Sequence, residues 1–108
     1  MSKKPVLPRQ LARRDAETAV DYYNREAGPD VALGFIDALS AIYRTISAHP
    51  AAGSPRYAHE LGLPGLRVRG VARLPYLVFY IERDNHIDIW RVLHAQREIP
   101  SWMQEAEH

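Results

Sequence analysis

Tyr76-Leu77-Val78-Phe79-Tyr80-Ile81 and, after a short break, Ile87-Asp88-Ile89-Trp90-Arg91-Val92 are the two runs that decide how this chain folds. Aromatic and β-branched side chains crowd both, and such residues pack well on a pleated surface. Asp84-Asn85 between them supplies turn chemistry, so residues 74–82 and 86–94 read as the arms of a β-hairpin. A sheet with one solvated face alternates apolar and polar residues along each strand. Here both faces are partly apolar, so the sheet needs a cover on each side. The second cover is either the chain's own tail or a partner.

Working outward, Leu66-Arg67-Val68-Arg69 alternates strictly and forms a third strand. Residues 50–55, Pro-Ala-Ala-Gly-Ser-Pro, are a loop by composition. Upstream the period changes to that of a helix. Leu11, Ala12, Ala16, Ala19, Val20, Tyr23 and Ala27 recur at three- and four-residue steps. Gly28 stops that helix, and Pro29 fits the first turn of the next, where its missing N–H costs nothing. The second helix carries Ala32, Phe35, Ile36, Leu39, Ile42, Tyr43 and Ile46 on one side and ends at His49, ahead of Pro50. So short a connection makes the pair an antiparallel helix hairpin. Pro5-Val6-Leu7-Pro8 is a short extended piece whose prolines suit a sheet edge. Pro100 to Gln104 reads as one or two helical turns. The expected fold is α+β: one domain over residues 1–108, with the hairpin on one face of a small antiparallel sheet and a short C-terminal helix.

Composition narrows the function. With 46% hydrophobic and 25% charged residues the chain is an ordinary globular domain, and with no cysteine it has no disulfide or thiol chemistry. No secretory signal and no membrane span stand out, which points to the cytoplasm. The histidines at 49, 59, 86, 94 and 108 lack ligand spacing and an acidic cluster, so no metal is expected, and no cofactor motif is present. Net charge is only +1, but four arginines (56, 67, 69 and 73) stand between Ser54 and Pro75 with Glu60 as the sole acid. Such a patch meets a polyanion or an acidic partner, or simply keeps a strand edge soluble.

The run Arg91-Val92-Leu93-His94-Ala95-Gln96-Arg97-Glu98-Ile99-Pro100, together with the strand before it, resembles the C-terminal half of ParE toxins. Leu11-Ala12-Arg13-Arg14-Asp15 with Tyr22-Tyr23, and Phe35-Ile36-Asp37-Ala38-Leu39, fit that family's helix hairpin. The resemblance spans roughly residues 5 to 103. It implies the RelE/ParE-like fold and the toxin role in a type II toxin–antitoxin pair. It further implies inhibition of DNA gyrase by protein–protein contact, a ParD-like antitoxin partner and a toxin–antitoxin hetero-oligomer. Neither membrane nor direct nucleic-acid binding is expected.

The RelE-like relatives instead cut mRNA on the ribosome, and the residues must decide. RNA cleavage needs a base, cations for the developing phosphate charge, and an acid. Arg67, Arg69, Arg91 and His94 are the candidates for that alternative, and Glu60 is the only carboxylate on the adjoining loop. Against it, Ala95 stands where such relatives can carry a tyrosine. The competing reading gives Arg67 and Arg69 an antitoxin carboxylate to hold. It gives Arg91 an acid or carbonyls to pair with, since an unpaired buried charge is too costly. Tyr76, Val78, Tyr80 and Trp90 join Arg67 and Arg69 as expected antitoxin contacts, and Arg97 and Trp102 are the expected target contacts and tail anchors. An antitoxin segment would lay a helix on the hairpin or an extended piece on the apolar sheet face. No turnover of a substrate is expected.

Overall fold

A computed structural model describes residues 3–96. Its elements are β1 (Val6–Pro8), α1 (Gln10–Ala27), α2 (Pro29–Ala48), a 3-10 turn (Pro50–Ala52), α3 (Arg56–Leu61), β2 (Leu66–Gly70), β3 (Tyr76–Glu82) and β4 (Ile87–His94). The helix boundary falls where the sequence puts it. Gly28, at φ 93°, turns the chain between α1 and α2 in a conformation that costs a side-chain-bearing residue but not glycine, and Pro29 opens α2. The tail helix expected near Pro100 lies outside the described residues.

The four strands run in the order β1-β4-β3-β2. β2, β3 and β4 are antiparallel neighbours, whereas β1 joins β4 in parallel, Val6 to Pro8 facing Ile87 to Ile89. The sheet is therefore mixed, not wholly antiparallel. β1 leads straight into α1, a connection that lets the next strand of the sheet run alongside it. As expected, its prolines sit on an edge.

A bulge explains the two-sided apolar pattern of β4. Phe79 pairs with Arg91 but Tyr80 pairs with Ile89, so Trp90 is the extra residue. The inserted residue shifts the alternation by one. Ile87, Ile89 and Val92 thus all enter the core beneath the hairpin with Val78, Tyr80, Phe35 and Ile46. Trp90 and Leu93 enter a second core with Leu66, Val68, Phe79 and Ile81.

That second core answers the question of the cover. Tyr57, Ala58 and Leu61 of α3, with Leu63 after it and Leu11 from α1, pack against it. The chain therefore supplies its own second cover, from a segment that reads as loop in the sequence. α2 is 20 residues long with mean hydropathy 1.3, which by length and composition alone would cross a membrane, yet only 22% of its apolar window is buried. Leu33 and Ile36 on it are exposed at 58% and 42%. On the other face Leu7 of the edge strand, registered with Asp88, is 50% exposed.

Candidate functional site

Arg91 is the residue around which the chemistry turns. Its side chain is 2% exposed and donates from Nε to Asp15 Oδ2 at 2.7 Å and from Nη2 to Asp15 Oδ1 at 2.8 Å. The Val92 amide donates to Asp15 Oδ2 at 3.0 Å. β1 reaches only to Ile89, so past that point α1 closes the β4 edge and the Asp15 carboxylate takes its amide. The burial that demanded a partner for Arg91 is met by an acid 76 residues away. A two-pronged guanidinium–carboxylate pair of this kind is strong and directional. Both Nε and Nη2 of Arg91 are engaged by Asp15.

The other members of the alternative, RNA-cleaving set do not converge. On the edge strand β2, Arg67 is registered with Tyr80 and Arg69 with Val78, so both point to the hairpin side. Arg67 Nη1 donates to the Gly53 carbonyl at 2.8 Å, and Tyr80 Oη donates to the Pro50 carbonyl at 2.7 Å. Burial pushes the Tyr80 pKa up, while the Gly53 backbone and the charges of Arg67 and Arg69 oppose the rise. These bonds clamp the 50–53 turn onto the sheet. A Cβ on Gly53 would run into the Tyr80 hydroxyl and lie 3.1 Å from Arg67 Cβ, so only glycine fits there.

His94 lies on β4 opposite Tyr76, with β3 between it and the arginines of β2. Its Nδ1 accepts from the Gln96 amide at 3.2 Å, and its ring meets Tyr76 edge-on at 5.3 Å. It is a hydrogen-bonded histidine at a strand end. Glu60 is exposed on α3, which packs on the opposite face of the sheet from Arg67 and Arg69. No group of three or more histidine, cysteine or acidic side chains that could hold a metal occurs among the described residues.

Four of the expected partner contacts need restating. Val78 and Tyr80 are fully buried beneath the hairpin and Trp90 is buried in the second core, so a surface partner does not meet these side chains. They face inward because the helices and α3 already cover both sides of β3 and β4. Tyr76 is half-buried, wedged against Tyr23 and Phe35. Arg97 and Trp102 lie outside the described residues.

Two features escaped the sequence reading. Asp88, buried in β4, accepts from Arg9 (Nε to Oδ1 and Nη2 to Oδ2, both 3.0 Å), from Arg83 at 3.0 Å and from Trp90 Nε1 at 3.1 Å. Burial would raise its pKa, but the hydrogen bonds and charges of Arg9 and Arg83 outweigh that and hold it below the ordinary carboxylate value. The Arg9 guanidinium also stacks 3.9 Å above the Trp90 ring. An acid between two isoleucines was the available signal, the same argument that gave Arg91 a partner. The second feature is a groove of about 460 Å³ between α1 and α2. Val20, Phe35, Ile36, Leu39 and Tyr43 form its apolar floor, and Glu17 and Asp21 stand at its rim. Burial, with the Asp15 charge adding and Arg13 opposing, pushes the Tyr43 pKa up to about 12, so that hydroxyl stays protonated at any physiological pH.

A helix hairpin packed on a small four-stranded mixed sheet, with a short third helix, places the chain among the small α+β proteins of the RelE/ParE-like fold. Residues 6–99 match the family described as "ParE toxin of type II toxin-antitoxin system, parDE". The chain belongs to that toxin family. Among solved structures it is similar to a chain described as "Chromosomal ParDE TA system from P. aeruginosa", with a TM-score of 0.73 and 21% identity over 87% of this chain and 98% of that one. At that identity the likeness speaks for the fold. None of the curated proteins compared with the chain matches it.

Proposed function

We propose that this toxin acts by contact, inhibiting DNA gyrase, and that an antitoxin segment silences it by filling the groove between α1 and α2. The observation that carries the first part is the Asp15–Arg91 pair. It spends the most buried cation of the would-be RNA-cleaving set on holding α1 to the sheet edge. With Arg67 tied to the 50–53 turn and β3 separating His94 from β2, the base, cations and acid of a nuclease do not meet.

The antitoxin reading rests on α2. An amphipathic helix laid along the groove would cover Val20, Ile36 and Leu39 and remove the apolar surface that α2 leaves exposed. Such a segment would fold as it binds. Arg69, half-exposed on β2, offers a cation to an antitoxin carboxylate at the sheet edge.

The test is gyrase supercoiling by the purified chain beside ribosome-dependent mRNA cleavage by the same preparation. Loss of supercoiling, or trapped cleaved DNA, with intact mRNA is the expected result. Cut mRNA with unaffected gyrase would overturn the proposal and return Arg69 and His94 to the role of catalytic suspects.

A further inference from the structure

A second concavity lies apart from the antitoxin groove. It is a cleft of about 580 Å³ where the C-terminal half of α1 faces the ends of β3 and β4, a size ordinary for a small-molecule site. Its walls are rings. Tyr22, Tyr23, Tyr76 and His94 follow one another in edge-on contacts with centroids 5.5, 6.2 and 5.3 Å apart. Tyr22 is 50% exposed, whereas a ring serving only the core would be hidden.

Polar groups with few partners converge on the same space. Thr18, Arg25 and the Gln96 side chain line the cleft, and none of them makes a side-chain hydrogen bond or ion pair among the described residues. Because the Gln96 amide already donates to His94 Nδ1, the neutral imidazole carries its proton on Nε2 and is a donor. Thr18 and Arg25 are two helical turns apart, about 10 Å along the axis. A flat, hydrogen-bonding ring at one end and an anion at the other match that layout. Stacking on an aromatic wall serves any base, and the cation serves a phosphate.

We infer that this cleft binds a nucleotide, with the base against Tyr22, its edge toward Thr18, His94 and Gln96, and the phosphate on Arg25. The nucleotide is either free in solution or the 5′-phosphorylated end of a strand, since both present the same chemistry. The cleft is separate from the groove proposed for the antitoxin, because the two share no lining residue.

Calorimetric titration of the full chain tests it, with AMP, GMP, adenosine, ribose 5-phosphate and a 5′-phosphorylated dinucleotide as probes. AMP or GMP should bind at least tenfold tighter than adenosine and ribose 5-phosphate. Tyr22→Ala and Arg25→Ala change exposed side chains, so their thermal unfolding should match the parent while each weakens binding about tenfold. Binding of the dinucleotide alone also upholds the site and names a strand end as its source. No binding of any probe at millimolar concentration, or binding that Tyr22→Ala and Arg25→Ala both leave unchanged, overturns the inference.

Discussion

The two faces of the sheet are covered by unequal means. On one side lie α1 and α2, 18 and 20 residues long, over a core of Val78, Tyr80, Ile89 and Val92. On the other lies α3, six residues, over Phe79, Ile81, Trp90 and Leu93. The long cover leaves apolar surface over, at Leu33 and Ile36 and in the groove beside Val20. The short cover leaves the work of closure to polar locks, with Arg9 and Arg83 converging on Asp88 below α1's first turn. The two sides are thus closed by different means, one by two long helices that leave an apolar groove between them, the other by a short helix and paired charges.

Asp15 stands at the seam between these sides, and its loss should be the most costly change. Asp15→Ala would leave the Arg91 guanidinium buried and unpaired, at about 3–5 kcal/mol of unfolding free energy. Chemical denaturation should show it, and a loss under 1 kcal/mol would mean that the pair does not hold the two sides together. Next comes Gly53→Ala. Crowding the Tyr80 hydroxyl and Arg67 should cost about 1–3 kcal/mol by the same assay, and a neutral result would break the claim that the 50–53 turn is clamped onto the sheet.

Asp88 gives the α3 side a signature in acid. Its folded pKa lies below the ordinary value, so its contribution is fully present above that value and fades as pH falls through the folded one. Stability measured from pH 5 downward should decline less steeply in Asp88→Asn than in the parent, although the variant starts less stable. Equal slopes would remove Asp88 from the account. The smallest effect on stability belongs to the hairpin side. Ile36→Glu, at an exposed position, should change unfolding free energy by no more than about 0.5 kcal/mol while sharply weakening antitoxin binding. Unchanged antitoxin affinity would place the partner elsewhere.

Much of this was legible in the sequence. Gly28-Pro29 punctuates the hairpin, the β3 and β4 runs are plain, and Arg91 announces its need for an acid. Two kinds of information were not local. Asp15 is singled out only by a contact made across 76 residues, and β1's parallel pairing is fixed by where α1 leads the chain. α3 is too short for periodicity to show, although Tyr57, Ala58 and Leu61 ahead of Gly62 carry its spacing and its stop. The bulge at Trp90 made two faces of β4 look apolar in a way that mimicked an uncovered sheet. That ambiguity is why Val78, Tyr80 and Trp90 read as partner contacts when they are core.

Growth arrest by a double variant, Arg69→Ala with His94→Ala, tests contact against chemistry most directly. Expressed without antitoxin at the parent's level and shown to be folded, it should still arrest growth and still inhibit gyrase, because neither side chain is asked to move a proton or bind a scissile phosphate. Loss of growth arrest in that folded variant would contradict the account and point to RNA cleavage.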